Sequence, residues 1–139
     1  MMINSRKIAD LHPKVATLCQ EFIDTCALES VDVLITSTYR DHESQEALYA
    51  QGRTKPGARV TNARGGQSWH NWRCAFDFVP IVNGKAQWQD TATFVRCGEV
   101  AELVGLEWAG RWKTFKELAH CQYTGGLTLA DLKAGKVIV

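Results

Sequence analysis

Asn83-Gly84 lies between two short runs of strand-forming residues, and an Asn-Gly pair readily takes the two left-handed conformations of a type I′ turn. The chain must fold back here as an antiparallel hairpin, with a strand over 74–79 reaching the turn through Ile81 and Val82 and a return strand over 86–88. A lone hairpin is marginal in water, so further strands or a covering helix must join it. Val31, Val33 and Ile35, alternating with Asp32, Leu34 and Thr36, supply one strand that ends near Tyr39-Arg40, and residues 119–123 supply another.

The cover is equally legible. Pro13 sits where a first helical turn tolerates it, and Val15, Leu18, Cys19, Phe22, Ile23 and Cys26 follow at helical spacing. Asp41 caps a helix over 42–51 that stops at Gly52, and Asp90 caps one carrying Phe94, Cys97, Ala101 and Val104 to Gly105. Thr128 with Asp131 forms a capping box for a last short helix ending at Gly135. Residues 106–116 read as irregular, and 53–67, punctuated by Pro56, Gly57, Gly65 and Gly66, as a long loop of the kind that carries function. With no repeat or linker, 139 residues fit one domain over 1–139: an α+β fold, helices packed on a small, mostly antiparallel sheet.

Sixteen basic residues against 15 acidic ones leave a net charge of +1, which argues against a nucleic-acid partner; the modest basic cluster from Arg53 to Arg64 is broken by Gly and Pro. Five cysteines without a CxxC pair suggest no disulfide framework, and Cys19 and Cys26 read as buried thiols rather than nucleophiles. The first ten residues are polar and nothing approaches the roughly 20 apolar residues of a membrane span. The expectation is a soluble monomer made in the cytosol, without stable membrane association.

Chemistry concentrates in Gln67-Ser68-Trp69-His70-Asn71-Trp72-Arg73-Cys74-Ala75-Phe76-Asp77-Phe78, which sets a His at the end of the loop and an Asp within the next strand. Period-two alternation puts Asp77 on the face of Ala75, opposite Phe76 and Phe78. A carboxylate there needs a partner; a metal cation would serve, and so would a salt bridge to Arg73. Glu117-Leu118-Ala119-His120 adds a second His with an acid three residues before it. Two His and one Asp match a catalytic zinc site with its fourth position open, and also some non-haem iron sites. Glu117 suits a general base, or a solvated charge beside Lys113 and Lys116; His12 and His42 read as structural or surface residues.

Ser37-Thr38-Tyr39-Arg40, Gln45-Glu46-Ala47-Leu48-Tyr49-Ala50-Gln51-Gly52-Arg53-Thr54-Lys55-Pro56-Gly57, Val60-Thr61-Asn62-Ala63, Gly65-Gly66-Gln67-Ser68 and the Trp-rich 108–120 segment together resemble one family. It is that of the zinc peptidases uniting phage L-alanyl-D-glutamate endolysins with D-Ala-D-Ala dipeptidases and carboxypeptidases. The family motif S-x-H-x-x-G-x-A-x-D matches Ser68, His70, Ala75 and Asp77. The resemblance implies the fold of hedgehog and DD-peptidase domains and one zinc ion held by His70, Asp77 and His120. It also implies Glu117 as catalytic base, Arg40 as the group steadying negative charge on the scissile carbonyl, and Ser68 as a loop or substrate contact. The partner implied is the peptidoglycan stem peptide.

Residues 52–68 look most like the phage endopeptidases, which implies cleavage between L-Ala and D-Glu. Lacking a separate wall-binding domain, such an enzyme would serve lysis of a thin-walled host and reach the wall from the cytosol by means of another factor. D-Ala-D-Ala cleavage by the same mechanism, or metal-dependent wall binding without catalysis, are the competing readings. Three positions depart from the family: Arg73 stands for Gly, Trp108-Ala109-Gly110-Arg111-Trp112 for W-G-G-D-W, and Ala119 for Pro. Strain between two ligands would disturb metal geometry, so Arg73 is expected at an ordinary negative φ. Trp69, Trp72 and Trp112 bracket the site as either cleft walls or core.

Overall fold

The computed structural model describes residues 2–139. Asn83 and Gly84 take φ of 53° and 76°, the two positive values of the expected turn, and join β2 (Ala75–Val82) to β3 (Lys85–Ala86). The return strand is shorter than expected because Gln87 meets Pro80, which accepts its N–H at 2.9 Å but has no N–H to give back. β1 (Asp32–Ser37) pairs antiparallel with one edge of β2, and β5 (His120–Gln122) with the other, β4 (Glu107–Trp108) completing the order β1-β2-β5-β4.

One face of the sheet is covered by α1 (Pro13–Leu28) and α3 (Thr91–Leu103). The Phe22 ring lies 5.6 Å from Phe76 and 5.0 Å from Phe78, and Phe78 lies 5.5 Å from Phe94. Each of these fully enclosed rings contributes about 1.5–3 kcal/mol of transfer free energy. Val15, Leu18, Cys19 and Cys26 fill the α1 side as the periodicity required, while Ile23 is only half-buried. All five cysteines are free and buried, and burial pushes the Cys19 thiol up to about 12 and Cys74 to about 11, so neither is a nucleophile at neutral pH. His12 caps α1 by accepting from Lys14 N. Asp41 caps α2 (His42–Ala50), and Thr128 and Asp131 form the expected box on α4 (Leu129–Lys133).

β1 was expected to run to Tyr39-Arg40 but stops at Ser37, where a bulge after Ile35 sets Ser37 opposite Asp77. The chain beyond stays extended by pairing with the amino-terminal segment: Ser5 N donates to Tyr39 O, Thr38 N to Ser5 O and Asp41 N to Ile3 O. Within 106–116, expected to be irregular, lie β4 and a 3-10 helix, Ala109–Arg111. Trp108 organises both. Its Nε1 donates to Leu118 O at 2.8 Å, and a Cβ added at Gly98 or Gly110 would fall 2.2 Å or 2.1 Å from its ring, so both positions need glycine for close approach.

Arg73 corrects an expectation. Its φ is 63°, in the left-handed region, because it ends the 3-10 helix Trp69–Trp72 and turns the chain into β2. Its guanidinium donates to Asp10 O at 2.7 Å and lies 3.8 Å over the Tyr39 ring, and it forms no pair with Asp77. These exposed contacts and a conformational cost of about 1 kcal/mol are of similar size. Arg73→Gly, which loses contacts and strain together, should therefore stay close to the parent in denaturant melts. Arg73→Ala, which loses the contacts and keeps the strain, should be less stable than Arg73→Gly by about 1 kcal/mol; equal stabilities would show the strain to be negligible.

Candidate active site

Antiparallel pairing sets Asp77 of β2 directly opposite His120 of β5, so both side chains leave the same face of the sheet, away from Phe76 and Phe78. His70 reaches them from the 3-10 helix Trp69–Trp72, which Ser68 caps: its Oγ accepts from His70 N, while Asn71 Oδ1 accepts from Ser68 N. Asp77 Oδ1 is then 3.2 Å from His70 Nε2 and 3.2 Å from His120 Nδ1. The ligating atoms of the three residues lie within 4.8 Å of one another.

The outer nitrogens decide what this cluster can hold. His70 Nδ1 lies 2.8 Å from Thr38 O, a pure acceptor, so Nδ1 carries the proton and Nε2 turns a lone pair inward. His120 Nε2 lies 2.8 Å from Gln122 Oε1, and Gln122 Nε2 donates to Glu107 at 2.7 Å, which fixes the amide so that its oxygen faces the imidazole. His120 Nδ1 therefore also points a lone pair at Asp77. Three electron-rich atoms face one centre, an arrangement that repels unless a cation fills it. Four donors at about 2.0–2.1 Å around zinc sit roughly 3.3–3.4 Å apart, close to the 3.2 Å that separates Asp77 Oδ1 from each imidazole nitrogen. With no cation bound, burial would raise the Asp77 carboxyl, but the two imidazoles, once protonated and donating to it, outweigh burial and hold it well below the usual range.

The remaining expected residues meet at the same cavity, of about 440 Å³, which Arg40, Ser68, Trp112 and Glu117 line together with His70, Asp77 and His120, while Arg73 and Arg111 lie outside it. Glu117 is exposed at the mouth, its Oε2 3.8 Å from His120 Nδ1. Arg40 is clamped by Gln45 Oε1 at 2.9 Å and Ser37 Oγ at 3.2 Å, and its buried Nε has no hydrogen-bond partner among the described residues. Trp69 and Trp112 line the cavity, whereas Trp72 donates to Gly66 O and packs edge-on against His42.

The sequence reading missed Thr38, Gln45, Asn71, Glu107 and Gln122. Gln45 also ties the loop down through Ala63 O, and Asn71 holds Arg40 O and Gly66 N. A signal existed for Gln122, two residues past His120 on a strand and hence on the same face. The departures from the family fall outside the cavity: Arg111 pairs with Glu102 at 3.1 Å, and Ala119 gives its carbonyl to Phe78 N, as a proline would. Gln122→Leu should leave His120 Nε2 unheld and weaken zinc binding about 10- to 100-fold in chelator competition; unchanged affinity would remove Gln122 from the site's support.

The family model for VanY D-alanyl-D-alanine carboxypeptidase matches residues 8–125. The chain is 37% identical over 129 residues to the peptidoglycan L-alanyl-D-glutamate endopeptidase CwlK of Bacillus subtilis (strain 168), covering 82% of this chain and 74% of that protein. In fold it resembles the L-Ala D-Glu endopeptidase ChiX of Serratia marcescens, with a TM-score of 0.63 at 20% identity over 90% of this chain and 86% of that one. It also resembles the vancomycin-resistance D,D-pentapeptidase VanY, solved with zinc, with a TM-score of 0.62 at 16% identity over 89% and 78% of the two chains. The motif residues, the sheet that assembles them and these likenesses agree: the chain belongs to the VanY family of D-alanyl-D-alanine carboxypeptidases.

Proposed function

We propose that this chain is a zinc-dependent peptidoglycan hydrolase that cuts the L-Ala–D-Glu bond of the stem peptide. The observation carrying the hydrolase reading is the inward-facing trio of His70 Nε2, Asp77 Oδ1 and His120 Nδ1 beside an exposed carboxylate and a clamped guanidinium. The choice of bond follows the likeness to CwlK. Zinc in such a site supplies Lewis acidity, polarising a carbonyl and acidifying water. Glu117 takes the proton from the attacking water and returns it to the leaving amine. Arg40, fixed by Gln45 and Ser37 at the cavity wall, faces the negative charge that gathers on the carbonyl oxygen. Ser68, already accepting from His70 N, keeps its hydroxyl proton for substrate. A lytic role in releasing phage from a host cell, with another factor giving passage to the wall, belongs to the same proposal and rests on the wording of residues 52–68.

Digestion of purified peptidoglycan should release peptides with new amino-terminal D-Glu; loss of terminal D-Ala instead would point to carboxypeptidase action, and no release to a binding module. His70→Ala, Asp77→Ala and His120→Ala should each lose zinc and activity together. Glu117→Ala should keep zinc and lose activity, and full turnover in it would exclude Glu117 as the base. Arg40→Ala should retain metal and slow turnover about 10²- to 10³-fold, an unchanged rate marking Arg40 as structural.

A further inference from the structure

Two surface depressions adjoin the metal cavity and share Trp112 with it. One, of about 690 Å³, carries Glu102 and Glu107 against the single cation Arg111. The other, of about 610 Å³ between the loop of residues 59–67 and the segment 112–117, carries Arg59, Arg64 and Lys116 against Glu117 alone. The cleft is thus acidic at one end and cationic at the other. Arg64 is committed to Glu46 at 3.2 Å and to the Tyr49 ring, but Arg59 makes only a long contact to Gly52 O at 3.5 Å, and no described residue pairs with Lys116. Val60 and Phe115, 55% and 71% exposed, form apolar lips on the cationic side.

Glu117 lines both the metal cavity and this cationic groove, which gives the cleft a direction. When an L-Ala–D-Glu bond is hydrolysed, water's oxygen joins the alanyl carbonyl carbon and the C–N bond breaks. Water's two protons end on the departing nitrogen by way of Glu117, leaving an alanyl carboxylate and a D-glutamyl ammonium. The D-glutamyl half must therefore lie on the Glu117 side. Because the stem peptide continues through the glutamyl side chain, the α-carboxylate beside the scissile nitrogen is free, and there it would meet the like charge of Glu117 unless cations offset it.

We propose that this groove is the subsite for the carboxylate-bearing half of the stem peptide, with Arg59 and Lys116 holding the D-glutamyl α-carboxylate. The inference rests on the bond assigned above. It predicts selectivity between two N-acetylmuramyl stem peptides that differ only in a free α-carboxylate or an α-carboxamide on D-Glu. The zinc-loaded parent should favour the carboxylate in kcat/KM by about two- to thirtyfold, the range two exposed ion pairs supply. The double variant Arg59→Gln/Lys116→Gln should bring that ratio to one or below, and Arg59→Glu/Lys116→Glu should lower it further so that the carboxamide is preferred, both with parental zinc content and melting temperature. A parental ratio near one, or a ratio the variants leave unchanged, overturns the subsite while the bond assignment stands. If the parent cuts neither peptide between Ala and D-Glu, the assigned function fails and the subsite falls with it.

Discussion

The site depends on the register between β2 and β5. Asp77 faces His120 because those two residues are cross-strand partners, and a slip of one residue would send Asp77 to the face where Phe76 and Phe78 meet Phe22. Such a slip would place a carboxylate in an aromatic core at a cost of several kcal/mol and expose two phenylalanines, so the core itself enforces the pairing of Asp77 with His120. The hairpin at Asn83-Gly84 and the pairing of β1 with β2 hold the same register from the other end of the strand.

Around that register, neutral backbone and amide groups set the electrostatics. Thr38 O and Gln122 Oε1 each accept a hydrogen bond from the outward N–H of an imidazole, which leaves the lone pair of each inward nitrogen free for a cation. Thr38 is placed by the bulge in β1 and by its pairing with Ser5, and Gln122 by its bond to Glu107 on β4. Residues far from one another in the chain thereby act on one centre, and the amino-terminal segment, polar and unremarkable as a sequence, helps to hold Arg40 and Thr38 in place.

Departures from the family pattern are absorbed at the periphery. Arg111, standing where the family has Asp, pairs with Glu102 and lies 5.6 Å over the Trp108 ring, so it joins the packing that positions Leu118 and the approach to His120. Gly110 keeps the family's residue, and the close approach of Trp108 explains the need for it. Arg73 keeps the left-handed turn that a glycine would take and holds its side chain on Tyr39 and Asp10 instead.

Much of this was legible along the chain. The spacing of Val15 to Cys26, the caps Asp41, Asp90 and Thr128, and the turn at Asn83-Gly84 are local signals, and each formed as such because the interactions behind it span only a few residues. The likeness of Ser68 to Asp77 and of Glu117 to His120 to a known motif brought the site residues into view before any fold was known. Their supports were not visible: Thr38 is 32 residues from His70, Glu107 is 15 from Gln122, and neither separation follows a helical or strand period. The sequence by itself determined the main helices and the hairpin, and pointed to the candidate residues for metal-binding and acid-base chemistry. Tertiary structure alone decided the β1 bulge, the tautomer of each imidazole and the unequal charge at the two ends of the cleft, because each arises where separate segments meet and compete for the same hydrogen bonds and space.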